Sequence, residues 1–347
     1  MRNISVRIRF FVLILLFSLE GIVTPMLAQY QVTEQILINE GLSNNFICDM
    51  TLDSKGRLWI ATESGLNSYN GISFSSYNVS NSALGANMIN CLWYDEASNL
   101  VWVGTKGAGV CSVNPDTREV RNFNTEDSSL MNVLDITPAE NNQRLWLISP
   151  NSIMQFEPQT GKIEPLDLGP VSQYFRCGVD DGNGNLVIGS HMHGASVLNA
   201  RTHKLESLII DDMEDQRINV NEVIKDHRGR IWLATNVGLW FYLPGSNHLV
   251  PFHAIPREDI SHIEEIDDSN LWVTMRGKTL TVNLNDEQVT TIHFDGEYQM
   301  FDEVQSLYQD RHGNIWVHQP QDALVPQVLQ PTLLGHLCRR RHHLGWH

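Results

Sequence analysis

The sequence predicts an all-β fold, and three observations lead to that prediction. A short apolar string recurs seven times at intervals of 40 to 45 residues, each time with a tryptophan or one valine at its centre. Other strand-like runs flank each string, and Asp-x-x-Gly turns precede four of them. Four short strands per unit of this length are typical of propeller blades. We therefore predict a seven-bladed β-propeller of four-stranded antiparallel blades. The central residues are Trp59, Trp102, Trp146, Val187, Trp232, Trp272 and Trp316.

In four units the first two strands are joined by an Asp-x-x-Gly turn, whose aspartate lies six residues ahead of the central residue. An aspartate can accept hydrogen bonds from its own backbone two residues on, and glycine accepts the positive φ of a tight hairpin. The turn residues given a structural role are Asp53, Gly56, Asp181, Gly184, Asp226, Gly229, Asp310 and Gly313. The six tryptophans are interpreted as core residues and not as a row of sugar-stacking rings, because their register places them inside strands.

A glycine such as Gly65 or Gly238 opens the third strand, and a fourth strand closes the unit. One blade buries little surface alone, so blades must stack on one another around an axis. The run 35–38 precedes the first complete unit, and the repeat stops after Val317. We therefore predict that this N-terminal strand completes the last blade. An open β-solenoid is the alternative fold, which the single tryptophan per unit disfavours.

The two ends of the chain differ from the repeat. Three arginines precede the apolar run 10–19, and a small residue, Ala28, follows. A run of roughly ten apolar residues fits a secretory signal peptide, whereas about 20 are needed to span a bilayer. We predict a signal peptide over 1–28, with an uncleaved anchor as the alternative, and a periplasmic or secreted propeller over 29–317. The basic segment 318–347 suggests a shifted reading frame or a truncated gene, and an unusual C-terminal extension is the alternative.

Charge and cysteine content exclude two further classes of protein. The formal net charge is −16, and no basic stripe offsets it, so a nucleic-acid partner is not expected. The five cysteines are an odd and sparse set, which is not a disulfide framework. We interpret most of them as small buried hydrophobic residues.

Candidate ligand-binding residues lie in loops that break the repeat. Aromatic faces and arginine forks suit sugars and their carboxylates. The candidates are Lys106, Tyr174, Arg176, His191, His193, Arg276 and Lys278. No nucleophile with its base can be located, so no catalytic residue and no cofactor are predicted.

Two metal sites were considered, and neither is predicted. His191 and His193 lack a third ligand. The segment 181–185 is similar to a calcium loop, but Leu186 stands where that loop needs glycine. The acidic pairs 264–265 and 267–268 are interpreted as a solvated edge.

The first unit closely resembles the two-component regulator propeller repeat. The matching segments are Gly-Leu-Ser-Asn-Asn at 41–45, Asp-Ser-Lys-Gly-Arg-Leu-Trp-Ile-Ala-Thr at 53–62 and Gly-Leu-Asn-Ser-Tyr-Asn-Gly at 65–71. The resemblance extends over 29–317, with departures in the third, fourth and sixth units. It implies the periplasmic sensor of a hybrid two-component system of gut Bacteroidetes-type bacteria, responding to oligosaccharides.

The resemblance also implies partners. They are an oligosaccharide or other small ligand, and a second propeller with further modules in a full-length parent. A homodimer is a further expectation, which does not come from the resemblance. No kinase signature is present, so no signalling output is expected from this chain alone. The alternative function is a propeller lyase or hydrolase of the streptogramin-lyase-like type, because segments 114–117 and 157–162 are similar to turns of that family.

Overall fold

The fold is built almost entirely from short antiparallel strands. The computed structural model describes residues 29–35, 41–123, 131–139, 143–170, 172–211, 213, 217–295, 306–309, 315–318 and 327–331. The signal-peptide segment 1–28 and the predicted turn residues Asp310 and Gly313 lie outside these residues.

Five four-stranded antiparallel sheets follow one another along the chain, and we call them blades 1 to 5. Blade 1 contains β2 (Ile47–Leu52), β3 (Leu58–Thr62), β4 (Gly65–Tyr69) and β5 (Phe74–Tyr77). Blade 2 contains β6 (Ile89–Asp95), β7 (Leu100–Thr105), β8 (Val110–Val113) and β9 (Val120–Phe123). Blade 3 contains β10 (Asp135–Pro138), β11 (Leu145–Ser149), β12 (Ser152–Glu157) and β13 (Lys162–Pro165). Blade 4 contains β14 (Tyr174–Asp180), β15 (Asn185–His191), β16 (Ala195–Asn199) and β17 (Leu205–Ser207). Blade 5 contains β18 (Val220–Lys225), β19 (Ile231–Thr235), β20 (Gly238–Tyr242) and β21 (Leu249–Pro251).

The sixth sheet has eight strands. Its strands are β22 (Ile260–Asp267), β23 (Asn270–Met275), β24 (Lys278–Asn283), β25 (Val289–Asp295), β1 (Gln29–Gln35), β28 (Gln327–Pro331), β27 (Ile315–His318) and β26 (Ser306–Gln309), in spatial order. β1 pairs parallel with β25 and antiparallel with β28. β28 lies within 318–347, the segment in which the sequence shows no repeat.

The sequence predicted seven four-stranded blades. The described strands form five four-stranded antiparallel sheets and one sheet of eight strands, so that six hydrogen-bonded sheets are present among them. The physical reason for the eight-stranded sheet is the free edge of β25. An edge strand presents unpaired N–H and C=O groups, and β1 pairs with them while also pairing with β28. Of the predicted N-terminal strand at 35–38, residues 36–38 lie outside the described residues, and a strand is described at Gln29–Gln35.

The second strand of each blade carries the apolar string and is its most buried element. All five residues of Leu58–Thr62 and of Ile231–Thr235 are buried. Both faces of such a strand pack against neighbouring blades, which is why the string has no polar alternation. Trp59, for example, clusters with Ile89 and Val101 of blade 2. The tryptophans thus fill the space between blades.

The Asp-x-x-Gly turn does more than close a hairpin. The Asp53 carboxylate accepts hydrogen bonds from the backbone N–H groups of Lys55 (2.9 Å) and Arg57 (3.0 Å), from Arg57 Nε (2.6 Å) and from the indole Nε1 of Trp59 (3.1 Å). Gly56 has a φ of 77°, in the left-handed region that glycine tolerates. One buried carboxylate therefore joins the turn to the core.

The same arrangement recurs with variations. Asp226 accepts from Arg230 Nε at 3.0 Å and from Trp232 Nε1 at 2.9 Å. Asp181 accepts from Asn185 Nδ2 at 2.8 Å, and Asn185 stands where the other two turns have Arg57 and Arg230. Gly184 and Gly229 have φ values of 82° and 79°. The segment that was compared with a calcium loop is thus a hairpin whose aspartate accepts hydrogen bonds from its own turn.

The strand order defines two faces of the molecule. The Asp-x-x-Gly hairpins between first and second strands lie on one face, which we call the turn face. The opposite face, which we call the loop face, contains the start of each first strand. It also contains the loops between second and third strands. Because adjacent strands are antiparallel, every candidate ligand-binding residue falls at or near the loop face.

Candidate functional site

A central channel of about 1030 Å³ among the described residues could hold a ligand. The first strand of each of the five blades, and β22 of the eight-stranded sheet, contributes to its wall. These strands have no sheet neighbour on the channel side. Their side chains and backbone groups must therefore find partners across the gaps between blades.

Five of the six channel-lining strands carry a bulge at the same place. A bulge leaves one extra residue unpaired and redirects its neighbours. The extra residues, all of which line the channel, are Cys48, Asn90, Arg176, Asn221 and Ser261. The residues in the next position, which we call the inner ring, are Asp49, Cys91, Asp135, Cys177, Glu222 and His262.

Three carboxylates of the inner ring hydrogen-bond to the next strand around the channel. Asp49 Oδ2 accepts from the backbone N–H of Leu92 at 2.7 Å. Asp135 Oδ2 accepts from Gly178 N–H at 2.9 Å, and Glu222 Oε2 accepts from Ile263 N–H at 2.7 Å. Each bond pairs an inner-strand N–H that would otherwise lack a partner. We call these three bonds the carboxylate latches.

Burial in the channel wall shifts the pKa of two of the latch residues, Asp49 and Asp135. Burial raises the pKa of Asp49 to about 7, against the lowering effect of the N–H groups of Leu92 and Met50. Burial likewise raises the pKa of Asp135 to about 6. Both carboxyl groups consequently change protonation near neutral pH.

His262 is held between two carboxylates. Its Nδ1 lies 2.8 Å from Glu222 Oε2, and its Nε2 lies 3.9 Å from Glu264 Oε2. Burial lowers the pKa of His262, but Glu222 and Glu264 outweigh burial, so the pKa is raised well above its usual value. His262 is therefore a cation at neutral pH, and a protonated imidazole is a poor general base.

Glu264 corrects one sequence interpretation. The pair 264–265 was assigned to a solvated edge, but both residues lie inside β22. Burial raises the pKa of Glu264, and Glu265 pairs with His227. Side chains alternate between the two faces of a strand, so an acidic side chain in β22 can point into the protein. The local sequence does not indicate which face is buried.

The channel cysteines are protonated thiols. Cys48, Cys91 and Cys177 line the channel. Although Cys48 keeps surface exposed to solvent, desolvation by the surrounding protein, together with Glu63 and Asp49, raises the pKa of its thiol to about 11. The pKa values of the other two are raised well above the usual value by burial. A thiol in this state is a weak nucleophile. Cys91 and Cys111 are buried, as interpreted from the sequence, whereas Cys48 is exposed and Cys338 lies outside the described residues.

Polar side chains converge where the channel opens on the loop face. Arg176 Nη1 donates to Asn221 Oδ1 at 3.2 Å, and Asn221 Nδ2 donates to Asp259 Oδ1 at 3.0 Å. Tyr174 is 45% exposed, and its ring meets His191 edge-on at 6.3 Å between centroids. We call these five residues the channel mouth.

The structure thus brings three of the seven candidate residues together, namely Tyr174, Arg176 and His191. His193 lies in the same loop, with its Nδ1 3.0 Å from the carbonyl oxygen of His191, but it does not line the channel. Sequence reasoning missed Asn221 and Asp259. Asn221 occupies the same bulge position in its strand as Arg176 does in β14. Aligning the units on Arg176 could therefore have identified Asn221.

The remaining three candidates lie apart from the channel mouth. Lys106 and Arg276 are exposed in the loops between second and third strands. Lys278 forms an ion pair with Glu258 at 3.1 Å. A positively charged residue in a loop of the loop face therefore does not necessarily line the channel.

Sequential four-stranded antiparallel blades around a polar channel define this protein as a β-propeller. Residues 41–64 match the family model of the two component regulator propeller. That match falls on the unit whose residues carry the resemblance. No curated protein matches the sequence significantly.

Solved structures share the fold. The extracellular domain of a protein described as the hybrid two component system BT3049, from B. thetaiotaomicron, is similar with a TM-score of 0.72 and 23% identity, covering 86% of this chain and 42% of that one. The extracellular domain of BT4673, described in the same way and from the same organism, is similar with a TM-score of 0.67 and 18% identity. That comparison covers 87% of this chain and 39% of that one. This chain therefore spans about two fifths of either domain.

A propeller enzyme is also similar in fold. Virginiamycin B lyase from Staphylococcus aureus gives a TM-score of 0.65 and 13% identity, covering 87% of this chain and 99% of that one. Within the described residues, no cluster of three or more His, Cys, Asp or Glu side chains could hold a metal ion. A helix suited to crossing a bilayer is likewise not found in the described part of the chain.

Proposed function

We propose that this chain is the ligand-sensing propeller of an extracytoplasmic two-component sensor, and that its ligand is an oligosaccharide bound at the channel mouth. The observation that carries the proposal is the meeting of Tyr174, Arg176 and His191 with Asn221 and Asp259 at one end of the channel. The match at 41–64 and the fold of the two extracellular domains support it. Export rests on the residues of 1–28.

The chemistry of the channel mouth suits a sugar. A half-exposed aromatic ring offers a face for a pyranose, and a guanidinium, an amide and a carboxylate offer donors and acceptors for hydroxyl groups. The same proposal includes a second propeller and a second copy of the chain as partners in a longer parent protein. Signal output would come from that parent.

We propose further that the ring has seven blades, with the eight-stranded sheet containing two. β22–β25 would form the sixth, and β26–β28 with β1 as outer strand would form the seventh. Trp316 of β27 meets Tyr69 of blade 1 edge-on at 6.0 Å, and Tyr308 of β26 packs against the cluster that contains Met50. β26 also contacts β22. These contacts support a closed ring in which β26 lies between β22 and β2.

Calorimetric titration of the chain with a panel of plant and host oligosaccharides tests the sensor proposal. We expect saturable binding without product formation. Arg176→Gln should weaken binding by about tenfold or more, since a hydrogen bond to a charged group contributes roughly 1.5–3 kcal/mol. Arg201→Gln, an equal charge change at the turn-face end of blade 4, is the control. Binding that is unchanged in Arg176→Gln would contradict the assignment of the site.

The alternative function is a propeller lyase or hydrolase, since the fold of this chain is similar to that of virginiamycin B lyase. Glu222 and Glu264 favour the protonated form of His262 in the channel wall, which opposes a role for this residue as general base. Chromatography of each binding oligosaccharide after long incubation separates the two functions. A new product formed in proportion to protein concentration would favour the enzyme.

A further inference from the structure

The two exposed aromatic side chains of the described residues occupy the same position in two different blades. Phe46 is 59% exposed and Tyr174 is 45% exposed, whereas every other aromatic side chain whose burial the structure describes is half-buried or buried. Tyr174 belongs to the channel mouth, and Phe46 was not among the candidate residues. Because an exposed ring leaves apolar surface in water, two rings at one position suggest a shared role in binding.

The register of the strands shows that the two positions are equivalent. In blade 4, Tyr174 comes directly before the buried Phe175, and the bulge follows. In blade 1, Phe46 comes directly before the buried Ile47, and the bulge follows in the same way. The pairing of blade 1 extends to Phe46, whose carbonyl oxygen accepts from the Glu63 N–H at 3.2 Å. Side chains alternate along a strand, so Phe46 has the same direction relative to its blade as Tyr174, which lines the channel.

The two rings belong to opposite sides of the channel. The first strands that line it contact one another in the order β2, β6, β10, β14, β18 and β22. Two strands, β6 and β10, therefore separate blade 1 from blade 4 in one direction, and β18 and β22 separate them in the other. The channel volume of about 1030 Å³ lies at the upper end of the range of about 300–1,000 Å³ for ligand pockets, so a chain of several sugar residues fits the opening.

Polar side chains line the channel between the two rings. Arg176 and Asn221 lie on the side of blade 4, and Asn90 of blade 2 lies on the side of blade 1. Asn90 Nδ2 donates to the carbonyl oxygen of Val133 at 2.8 Å, which fixes the amide in the channel wall. Apolar rings at two ends with hydrogen-bonding groups between them match a sugar chain, because each pyranose has an apolar face and hydroxyl groups at its edge.

We propose that Phe46 is a second stacking platform for the ligand, and that an oligosaccharide spans the channel opening from Tyr174 to Phe46. This inference rests on the proposed function and deepens it, because it makes the length of the sugar chain a determinant of affinity. One sugar residue would lie against Tyr174 and bind Arg176, and a residue further along the chain would lie against Phe46. A monosaccharide reaches only one of the two rings.

A length series of oligosaccharides tests the proposal on the full chain. We titrate cello-, malto-, xylo-, arabino-, chito- and galacturonic acid oligosaccharides, from the monosaccharide to about the hexasaccharide, by ligand-observed NMR and calorimetry. We expect affinity to rise with length until both rings are reached and then to level off. Phe46→Ala should weaken binding of chains of that length or longer by about threefold or more and leave the monosaccharide unchanged. Tyr174→Ala should weaken binding at every length.

Ile72→Ala is the matched control, because Ile72 is 89% exposed on the turn face of the same blade, and it should bind like the unchanged protein. Phe46→Trp keeps an aromatic ring and should retain the affinity for long chains. If Phe46→Ala fails to fold, as judged by its melting curve, Phe46→Leu decides instead, since it keeps apolar volume and removes the ring.

Equal binding of long chains by Phe46→Ala and the control overturns the inference alone, and the sensor proposal stands if Arg176→Gln weakens the same binding. A loss that is equal at every length, the monosaccharide included, also overturns the inference, because Phe46 would then not contact a distant part of the chain. If none of the series binds saturably, the inference and the proposed function are both overturned.

Discussion

At the scale of single residues, some inner-ring residues lie opposite a small residue of the second strand. Cys91 and Cys177 lie opposite Gly104 and Gly189, whereas Asp49 lies opposite Ala61. A Cβ atom on Gly104 would overlap Cys91 Sγ, whereas one on Gly189 would lie 2.5 Å from Val220 Cγ1 and 2.9 Å from Cys177 Sγ. The cysteine is therefore the nearest obstacle at Gly104, and the Val220 side chain is the nearest obstacle at Gly189.

Gly104→Ala should therefore destabilise the protein by about 1–3 kcal/mol through overpacking. The cost should be smaller when Cys91→Ala is also present, because the sulfur that the new methyl group overlaps has been removed. A double-mutant cycle by urea unfolding measures the difference. An equal cost in both backgrounds would show that Cys91 is not the obstacle.

Asp49, Asp135 and His262 predict a specific dependence of stability on pH. Their folded pKa values are raised above the usual ones, so the folded chain binds protons more tightly than the unfolded chain. The stability that this contributes is fully present below the unfolded pKa and is lost as pH rises through the folded pKa. Asp226 has a lowered pKa and works in the opposite sense, but only in acid.

We expect the urea midpoint to fall as pH rises from about 5 to about 8. Unfolding curves at several pH values in that window measure it. Asp135→Asn should make the dependence shallower, whatever its effect on absolute stability. A midpoint that rises across the window would contradict the raised pKa values.

At the scale of the element, the aspartate of the Asp-x-x-Gly hairpin makes three kinds of contact: with the turn backbone, with an arginine and with the central tryptophan. Asp53 accepts from the turn, from Arg57 and from Trp59, and its side chain is fully buried. The strands and their turns were predicted well because these interactions span only six residues. The indole bond was not foreseen, since spacing alone does not indicate where Nε1 points.

Asp53→Ala should lower stability by about 2–4 kcal/mol, because it leaves a buried indole donor and a partly buried guanidinium without their acceptor. Thermal unfolding followed by tryptophan fluorescence measures the change. Lys55→Ala is the matched control, since it removes an exposed ion pair with Asp116 worth at most about 1 kcal/mol. Similar losses in the two variants would disprove the role of Asp53.

At the scale of the whole molecule, one strand joins the two ends of the chain. β1 pairs with β25 on one side and β28 on the other, so residues 29–35 bridge segments that lie about 260 or more positions later. Without β1, both partners would present open edges. Open edges reduce stability and favour aggregation.

Removal of 29–35 should lower the melting temperature by several degrees, at about 2–4 °C per kcal/mol for domains of roughly this size, and promote aggregation. Differential scanning fluorimetry and light scattering test this. Removal of 332–347 is the control, because it takes away no described strand. A melting temperature that is equally affected by both deletions would argue against a closing role for β1.

The sequence by itself determined the blades. The repeat, the buried second strands and the Asp-x-x-Gly turns are all set by residues within a few positions of one another. The tertiary structure alone decided three things: the joining of β25 to β1, the carboxylate latches, and the channel mouth with only three of the seven candidate residues. Each depends on contacts between different blades, such as Asp49 with Leu92. Such contacts form only when blades stack around an axis, and no local pattern records which loop then turns inward.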